Sequence, residues 1–210
     1  MSNSMKGRVK RGAPPKKVLT DGNLRKYALP SLLRDFESRC AYSMQHRRRA
    51  GGAKMLMEID HFDPRIRGRN RHQYQNLFLS SRFCNARKHE NWPEPAEVAN
   101  GVRFLNCCEE FDYGKHIFED EKTHCVFGVT PAGKYHIRIL DLNAPHLVKE
   151  RAERAHYRRL LYEARKLVKQ PEAAVMAFRV LKEQVNYLIP EIAYATPPVG
   201  FQCPGAVRRF

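Results

Sequence analysis

The chain carries the sequence EIDH at residues 58–61, followed by QNL at 75–77 and FCNARK at 83–88. These three blocks contain an Asp-His pair and two asparagines within a short stretch of sequence. Carboxylate and amide oxygens are ligands for hard cations such as Mg²⁺, and an imidazole can activate water near neutral pH. The combination is typical of a metal-assisted phosphodiester hydrolase.

Apolar residues around the three blocks predict a strand, a loop, a second strand and a helix in this order. The first strand is predicted over Met55–His61 and the second over Leu77–Leu79, with a polar, arginine-rich loop between them. Ser80 or Ser81 can cap the helix, which is predicted to run to about Glu90. The local pattern therefore predicts a compact mixed unit around the candidate residues.

Outside this unit, the hydrophobic pattern predicts helices and one further hairpin. A helix is predicted over Ser31–Arg39, and two long helices are predicted to start at Pro145 and Pro171. The stretch Cys125–Leu140 is predicted to form the hairpin, because apolar residues alternate with polar ones in its second half.

The composition indicates a folded protein with a polyanionic partner. Of the 210 residues, 42% are hydrophobic, and 38 Lys and Arg against 22 Asp and Glu give a formal net charge of +16. This surplus favours nucleic acid first and an anionic membrane second. No apolar run reaches the length of a membrane span, and six irregularly spaced cysteines do not resemble a secreted disulfide framework. We therefore expect a cytoplasmic protein without a membrane partner.

Each candidate residue of the three blocks suits one task in phosphodiester hydrolysis. Asp60 supplies an anionic oxygen suited to Mg²⁺ or Mn²⁺, and Asn85 can supply a neutral one. His61 follows Asp60 on the predicted strand, so that its side chain points to the opposite face, where it could act as a general base. Asn76 cannot titrate, and we expect it to fix the loop between the strands or to orient the histidine.

The segment from Cys40 to Lys88 resembles the HNH endonuclease family, whose motif joins Asp-His, Asn and Cys-Asn-x-x-Lys blocks. The resemblance implies that His61 is the general base, that Asp60 and Asn85 bind the metal, and that Asn76 holds the histidine-bearing loop. His89 lies four residues beyond Asn85 and is a second-ranked metal ligand by the same resemblance. The implied catalytic cofactor is Mg²⁺ or Mn²⁺, and the implied substrate is DNA.

The resemblance, together with the hydrophobic and charge pattern of the rest of the chain, gives the expected fold class and domain organisation. We expect an α+β protein with a ββα-metal nuclease unit embedded in a mainly helical scaffold with an additional β-hairpin. The expected segments are a basic flexible arm (1–29), the nuclease unit (30–93), a mixed segment with the hairpin (94–145), a helical C-terminal region (146–190) and a tail (191–210).

The sequence departs from the family at the positions of a structural zinc site. Many members carry two Cys-x-x-Cys pairs there, whereas this chain has CAYS at 40–43 and SRFC at 81–84. Hydroxyl groups are weak Zn²⁺ ligands beside thiolates. The sequence therefore argues against a structural Zn²⁺, and we expect Cys40 and Cys84 to be packed neighbours or a disulfide.

Basic side chains surround the candidate residues in sequence and predict contacts to DNA phosphates. Nothing among them predicts recognition of bases. The candidate nucleic-acid-binding residues are Arg65, Arg67, Arg69, Arg71, Arg87 and Lys88.

The stretch from Phe111 to Arg151 is more loosely similar to the HNH subunit of Septu anti-phage systems, which works with an ATPase partner. This similarity implies a nuclease effector in bacterial defence. Two other hypotheses remain open, namely a catalytically inactive nucleic-acid-binding module and an adaptor subunit that binds an acidic protein. Salt-sensitive binding of DNA by the isolated chain would argue against the adaptor.

Overall fold

The computed structural model describes residues 9–49, 57–109 and 112–167. These residues form a mixed fold of helices and two small sheets, so that the α+β class is confirmed. The elements are α1 (Leu24–Asp35), β1 (Met57–His61), β2 (Leu77–Ser81), α2 (Arg82–Lys88), α3 (Pro95–Ala99), α4 (Asp112–His116), β3 (Ile117–Glu119), β4 (Val126–Gly128), α5 (Pro131–Leu140) and α6 (Pro145–Leu167).

The strands β1 and β2 pair in antiparallel fashion, and α2 follows β2 without an intervening loop. Asp60 lies opposite Phe78 in this pair. The hydroxyl of Ser81 accepts a hydrogen bond of 3.3 Å from the amide of Cys84, which confirms the predicted serine cap of the helix. The predicted order of strand, loop, strand and helix is therefore confirmed.

The helix predicted from Ser31 begins seven residues earlier, at Leu24, and includes Pro30 in its interior. Leu24, Ala28 and Leu32 repeat every four residues and are buried, which places them on one face against the core. Proline in a helix interior removes one hydrogen bond, and its ring clashes with the carbonyl four residues earlier, a combined loss of about 3 kcal/mol or more. We infer that burial of this face outweighs that loss, so that proline does not mark the start of the helix.

The predicted flexible arm is wrong for part of its length, because several of its residues pack on the core. Val9 is buried and donates its amide to the carbonyl of Cys107. The guanidinium of Arg11 lies 4.5 Å from the ring centre of Tyr74 and donates hydrogen bonds of 2.9 Å to the carbonyl of Leu77. The basic side chain of Arg11 therefore contributes to packing as well as to the net charge.

The hairpin predicted over Cys125–Leu140 is wrong in its second half, which forms the helix α5. The hydroxyl of Thr130 accepts from the amide of Gly133, and Pro131 occupies the first turn, a combination that starts helices. A hairpin does exist, but β4 pairs with the preceding β3. The short alternation of apolar residues is compatible with the period of a strand and with that of a helix. The cap formed by Thr130 and Pro131 is the feature that indicates the helix.

Helix α6 begins at Pro145 as predicted. The helix predicted from Pro171 and the tail at 191–210 lie outside the described residues. None of the helices in the described ranges is long and apolar enough to cross a membrane.

Two glycines allow β4 and α5 to approach each other. A Cβ atom on Gly133 would lie 2.1 Å from the carbonyl oxygen of His116, and one on Gly128 would lie 2.3 Å from the amide nitrogen of Lys134. Backbone atoms cannot move away at little cost, so that neither position has room for a side chain.

Replacing Gly133 by alanine should therefore destabilise the fold, although alanine is the better helix former by about 0.5–1 kcal/mol. We expect Gly133→Ala to lower the free energy of unfolding by about 2–3 kcal/mol in denaturant titrations. Gly22→Ala is the matched control, because nothing lies within 4 Å of its new Cβ. A Gly133→Ala protein as stable as the control would contradict this packing.

Candidate functional site

Asp60 lies at the centre of the candidate site and is almost completely buried, with 6% of its surface exposed. The ammonium group of Lys88 lies 3.2 Å from its Oδ1 and 3.0 Å from its Oδ2. The hydroxyl of Tyr42 also donates a hydrogen bond to Oδ2. Burial raises the pKa of Asp60, while Lys88 and Tyr42 act in the opposite direction by stabilising the carboxylate.

Helix α2 lies across β1 and brings two of its side chains to two carboxylates. Glu58 and Asp60 are two residues apart on the strand, so that their side chains lie on the same face. Lys88 meets Asp60, and the side-chain amide of Asn85, one turn earlier, donates a hydrogen bond of 2.7 Å to Glu58. The structure thus brings the predicted metal ligands Asp60 and Asn85 to the same helix–strand contact, with Glu58 as an additional oxygen donor.

Lys88 does not have the position expected of a residue that binds DNA. It is completely buried, and besides Asp60 it donates a hydrogen bond of 2.9 Å to the backbone carbonyl of His61. The prediction of a phosphate contact is therefore wrong for this residue. Its charge is used inside the protein because the buried carboxylate requires a cation.

His61 occupies the last position of β1, and its imidazole is half-buried. Burial, followed by the positive charge of Arg71, lowers the pKa of His61 to about 4. The imidazole is therefore neutral at neutral pH and has a lone pair that can accept a proton. Its Nε2 lies 3.2 Å from Nδ1 of His72.

Asn76 holds the loop between the strands by three side-chain hydrogen bonds. Its carbonyl oxygen accepts from the amide of Asp63 at 2.8 Å, and its amide group donates to the carbonyls of Asp63 and Arg71 at 3.3 and 3.1 Å. These bonds join both ends of the loop that follows His61. The hypothesis that Asn76 fixes this loop agrees with its contacts.

His89 caps the C-terminal end of α2, and its side chain is exposed. Its backbone has φ of 42°, and its amide bonds to the carbonyl of Asn85. Helix α2 presents Asn85 and Lys88 to β1, and His89 has no side-chain contact with Asp60 within the described residues. Asn85 is therefore the better placed of the two candidate ligands.

The five predicted DNA-binding arginines differ in their contacts and exposure. Arg65 pairs with Asp63 at 2.8 Å and lies over the ring of Trp92, whereas Arg87 pairs with Asp141 at 3.0 Å. Arg67 and Arg69 are exposed, and neither has an ion-pair partner in the part of the chain that the structure describes. Arg71 is half-buried and uses its backbone carbonyl to hold Asn76.

The four residues at the zinc positions of the family come together in the structure. Cys40, Ser43, Ser81 and Cys84 are buried and form a hydrogen-bonded group, with both cysteines as free thiols. The expected neighbourhood of Cys40 and Cys84 is confirmed. The hydrogen bond with Cys40, together with burial, raises the pKa of the Cys84 thiol.

Three residues of the site were missed in the sequence, namely Tyr42, Glu58 and His72. Glu58 shares its strand face with Asp60, and this spacing of two residues could have identified it. Tyr42 and His72 reach the site from a turn and a loop. No local pattern marks them, because their partners lie 18 and 11 residues away in the sequence.

Comparisons of the chain with protein-family models, curated proteins and solved structures found no match. Within the described residues, no group of three or more His, Cys, Asp and Glu side chains is arranged to hold a metal ion.

The buried ion pair between Lys88 and Asp60 should contribute to the stability of the fold. Lys88→Met would leave Asp60 buried without its cation, and we expect the free energy of unfolding to fall by about 3–5 kcal/mol. Arg82→Met is the matched control, because Arg82 is exposed and its ion pair with Glu58 is long, at 3.9 Å. The double variant Lys88→Met/Asp60→Asn should regain part of the loss. Equal effects of Lys88→Met and the control in urea titrations would contradict a charged Asp60.

The hydrogen bonds of Asn76 to the loop should also contribute to the stability of the fold. Asn76→Ala removes three hydrogen bonds, which should lower the free energy of unfolding by roughly 1.5–4 kcal/mol. It should also speed hydrogen exchange at the amide of Asp63. Asn70→Ala, in the same loop, removes one exposed hydrogen bond to Gln73 and serves as the control. Unchanged exchange at Asp63 in Asn76→Ala would show that another group holds the loop.

Proposed function

We propose that the chain is a metal-dependent endonuclease of the HNH type that hydrolyses phosphodiester bonds in DNA. The observation that supports this proposal is the antiparallel pair β1–β2 followed directly by α2, with Asp60 and His61 at the end of β1, Asn76 directly before β2 and Asn85 on α2. Asp60 and His61 are adjacent in the sequence, whereas Asn76 and Asn85 follow 15 and 24 residues after His61. Their roles as ligands, base and loop anchor follow from the resemblance and are compatible with their contacts.

The donor set is compatible with Mg²⁺ or Mn²⁺. Asp60 and Asn85 would hold the ion, and Glu58 offers a further carboxylate on the same strand face. Mg²⁺ is usually bound by one or two carboxylates together with waters and substrate phosphates, so that a group of three acidic or imidazole ligands is not required. When bound, such an ion stabilises the negative charge that develops on the phosphate and the leaving oxygen.

The residues of the chain supply the proton transfer and the positioning. His61 would accept a proton from the attacking water, because its imidazole stays neutral at neutral pH. Asn76 holds the loop that follows the histidine. Lys88 keeps the buried Asp60 in its ionised form, in which it can bind a cation.

The proposed substrate is DNA because the chain is strongly basic and exposed arginines border the site. The net charge of +16 favours a polyanion, and Arg67 and Arg69 extend from the loop between β1 and β2. An effector role in a cytoplasmic anti-phage complex with an ATPase partner belongs to the same proposal. It rests on the similarity of residues 111–151 to the Septu subunit.

One observation favours a second candidate, a nucleic-acid-binding module or adaptor without catalysis. Both oxygens of Asp60 already have partners in Lys88 and Tyr42, so that the protein neutralises this carboxylate without a metal ion. A metal ion would have to share Asp60 with Lys88. The nuclease and the binding module therefore differ in whether a metal ion can bind Asp60 beside Lys88 and Tyr42.

Cleavage of supercoiled plasmid by the purified chain tests the proposal. We expect nicked or linear product with Mg²⁺ or Mn²⁺, no product with EDTA, and a loss of roughly 100-fold or more in His61→Ala. His156→Ala is the matched control, because His156 is exposed and lies on α6. The purified variants should bind DNA as well as the parent chain does.

Equal cleavage by His61→Ala and the parent chain would contradict the assignment of the base. Salt-sensitive DNA binding without cleavage, also in the presence of the ATPase partner, would favour the binding module. Loss of binding in Arg67→Ala/Arg69→Ala would then locate the nucleic-acid surface on the loop.

A further inference from the structure

A chain of three polar side chains leads from the protein surface to His61. Asp21 Oδ2 lies 3.4 Å from His72 Nε2, and His72 Nδ1 lies 3.2 Å from His61 Nε2. The two rings are 5.2 Å apart between their centres and inclined by 57°. The sequence blocks include neither Asp21 nor His72, and Asp21 comes from the segment expected to be a flexible arm.

The order of donors and acceptors in this chain follows from its carboxylate end. The carboxylate of Asp21 makes an ion-pair contact with Nε2 of His72, and its negative charge favours the tautomer that carries the proton on this nitrogen. A neutral imidazole has one N–H group, and Nδ1 of His72 is then an acceptor. In this tautomer of His72, Nε2 of His61 donates to Nδ1 of His72, which leaves the lone pair of His61 on Nδ1.

We propose that His72 is a positioning residue that sets the tautomer and the ring orientation of His61. It does so by accepting the Nε2–H of His61, and the charge of Asp21 favours the tautomer of His72 that can accept it. This inference rests on the proposed function for its catalytic meaning, because the free Nδ1 lone pair is the one that would take the proton from water. The hydrogen bond itself is independent of any reaction.

The surroundings of His72 suit such a role. His72 is the last residue of the turn Gly68–His72, and its neighbour Arg71 is held by Asn76 through the backbone. The side chain of His72 is 12% exposed, whereas that of Asp21 is 76% exposed. The bond between the two histidines is thus the less exposed one. We therefore expect His72 to contribute more than Asp21 to the positioning of His61.

The position of the free lone pair can be measured without any enzymatic assay. In the full chain labelled with ¹⁵N-histidine at about pH 8, where imidazoles are neutral, we expect His61 to be protonated on Nε2 and His72 on Nε2. A scalar coupling across the hydrogen bond should join His61 Nε2 to His72 Nδ1. Spectra of His61→Ala and His72→Leu assign the two rings.

Two substitutions of the same residue separate positioning from packing. His72→Leu removes the acceptor, whereas His72→Asn retains an oxygen close to the position of Nδ1. We expect kcat for plasmid cleavage to fall on the order of 10- to 100-fold in His72→Leu with little change in KM. His72→Asn should recover most of this loss.

A proton on Nδ1 of His72 in the parent chain, or no coupling between the rings, would overturn the proposal. Equal loss of kcat in His72→Leu and His72→Asn would also overturn it, since the acceptor would then be irrelevant. The expected NMR pattern in a chain that cleaves no DNA, also in the presence of the ATPase partner, would support the hydrogen bond and refute the proposed function instead. The two failures are therefore distinguishable.

Discussion

The contact between Lys88 and Asp60 is the interaction on which the arrangement of the site depends. It joins the end of α2 to β1 inside the core, and Tyr42 adds a contact from the turn that precedes β1. A buried carboxylate without a cation would be costly, so that the ion pair fixes how the helix lies on the strand. This placement in turn brings Asn85 to Glu58 and secures the carbonyl of His61.

Part of the positive charge of the chain lies inside the protein, which the composition cannot reveal. Lys88, Arg151 and Arg154 are buried and bind carboxylate or carbonyl groups, and Arg11 stacks on aromatic rings at the base of β2. Such residues stabilise the fold, and the buried ones cannot contact a polyanion. The exposed arginines of the loop between β1 and β2 are the better candidates for the proposed contacts to nucleic acid.

Prediction from the sequence succeeded where a residue's neighbours along the chain decide its structure. The strand pair, the Ser81 cap and the start of α6 follow from local patterns. It failed at α1, where burial of a face overrode Pro30, and at α5, where a short alternating stretch suited either period. In both failures, packing against distant residues selected between locally acceptable conformations.

The sequence by itself determined the types and order of the candidate residues, the α+β class and the excess of positive charge. Only the tertiary structure decided that Lys88 is internal, that Asn85 faces Glu58 and that His72 meets His61. The physical reason is that side-chain chemistry belongs to the residue, whereas hydrogen-bond partners and burial depend on which distant segments pack together. Tyr42 and Asp60 illustrate this point, because 18 residues separate them in the chain and one hydrogen bond joins them in the fold.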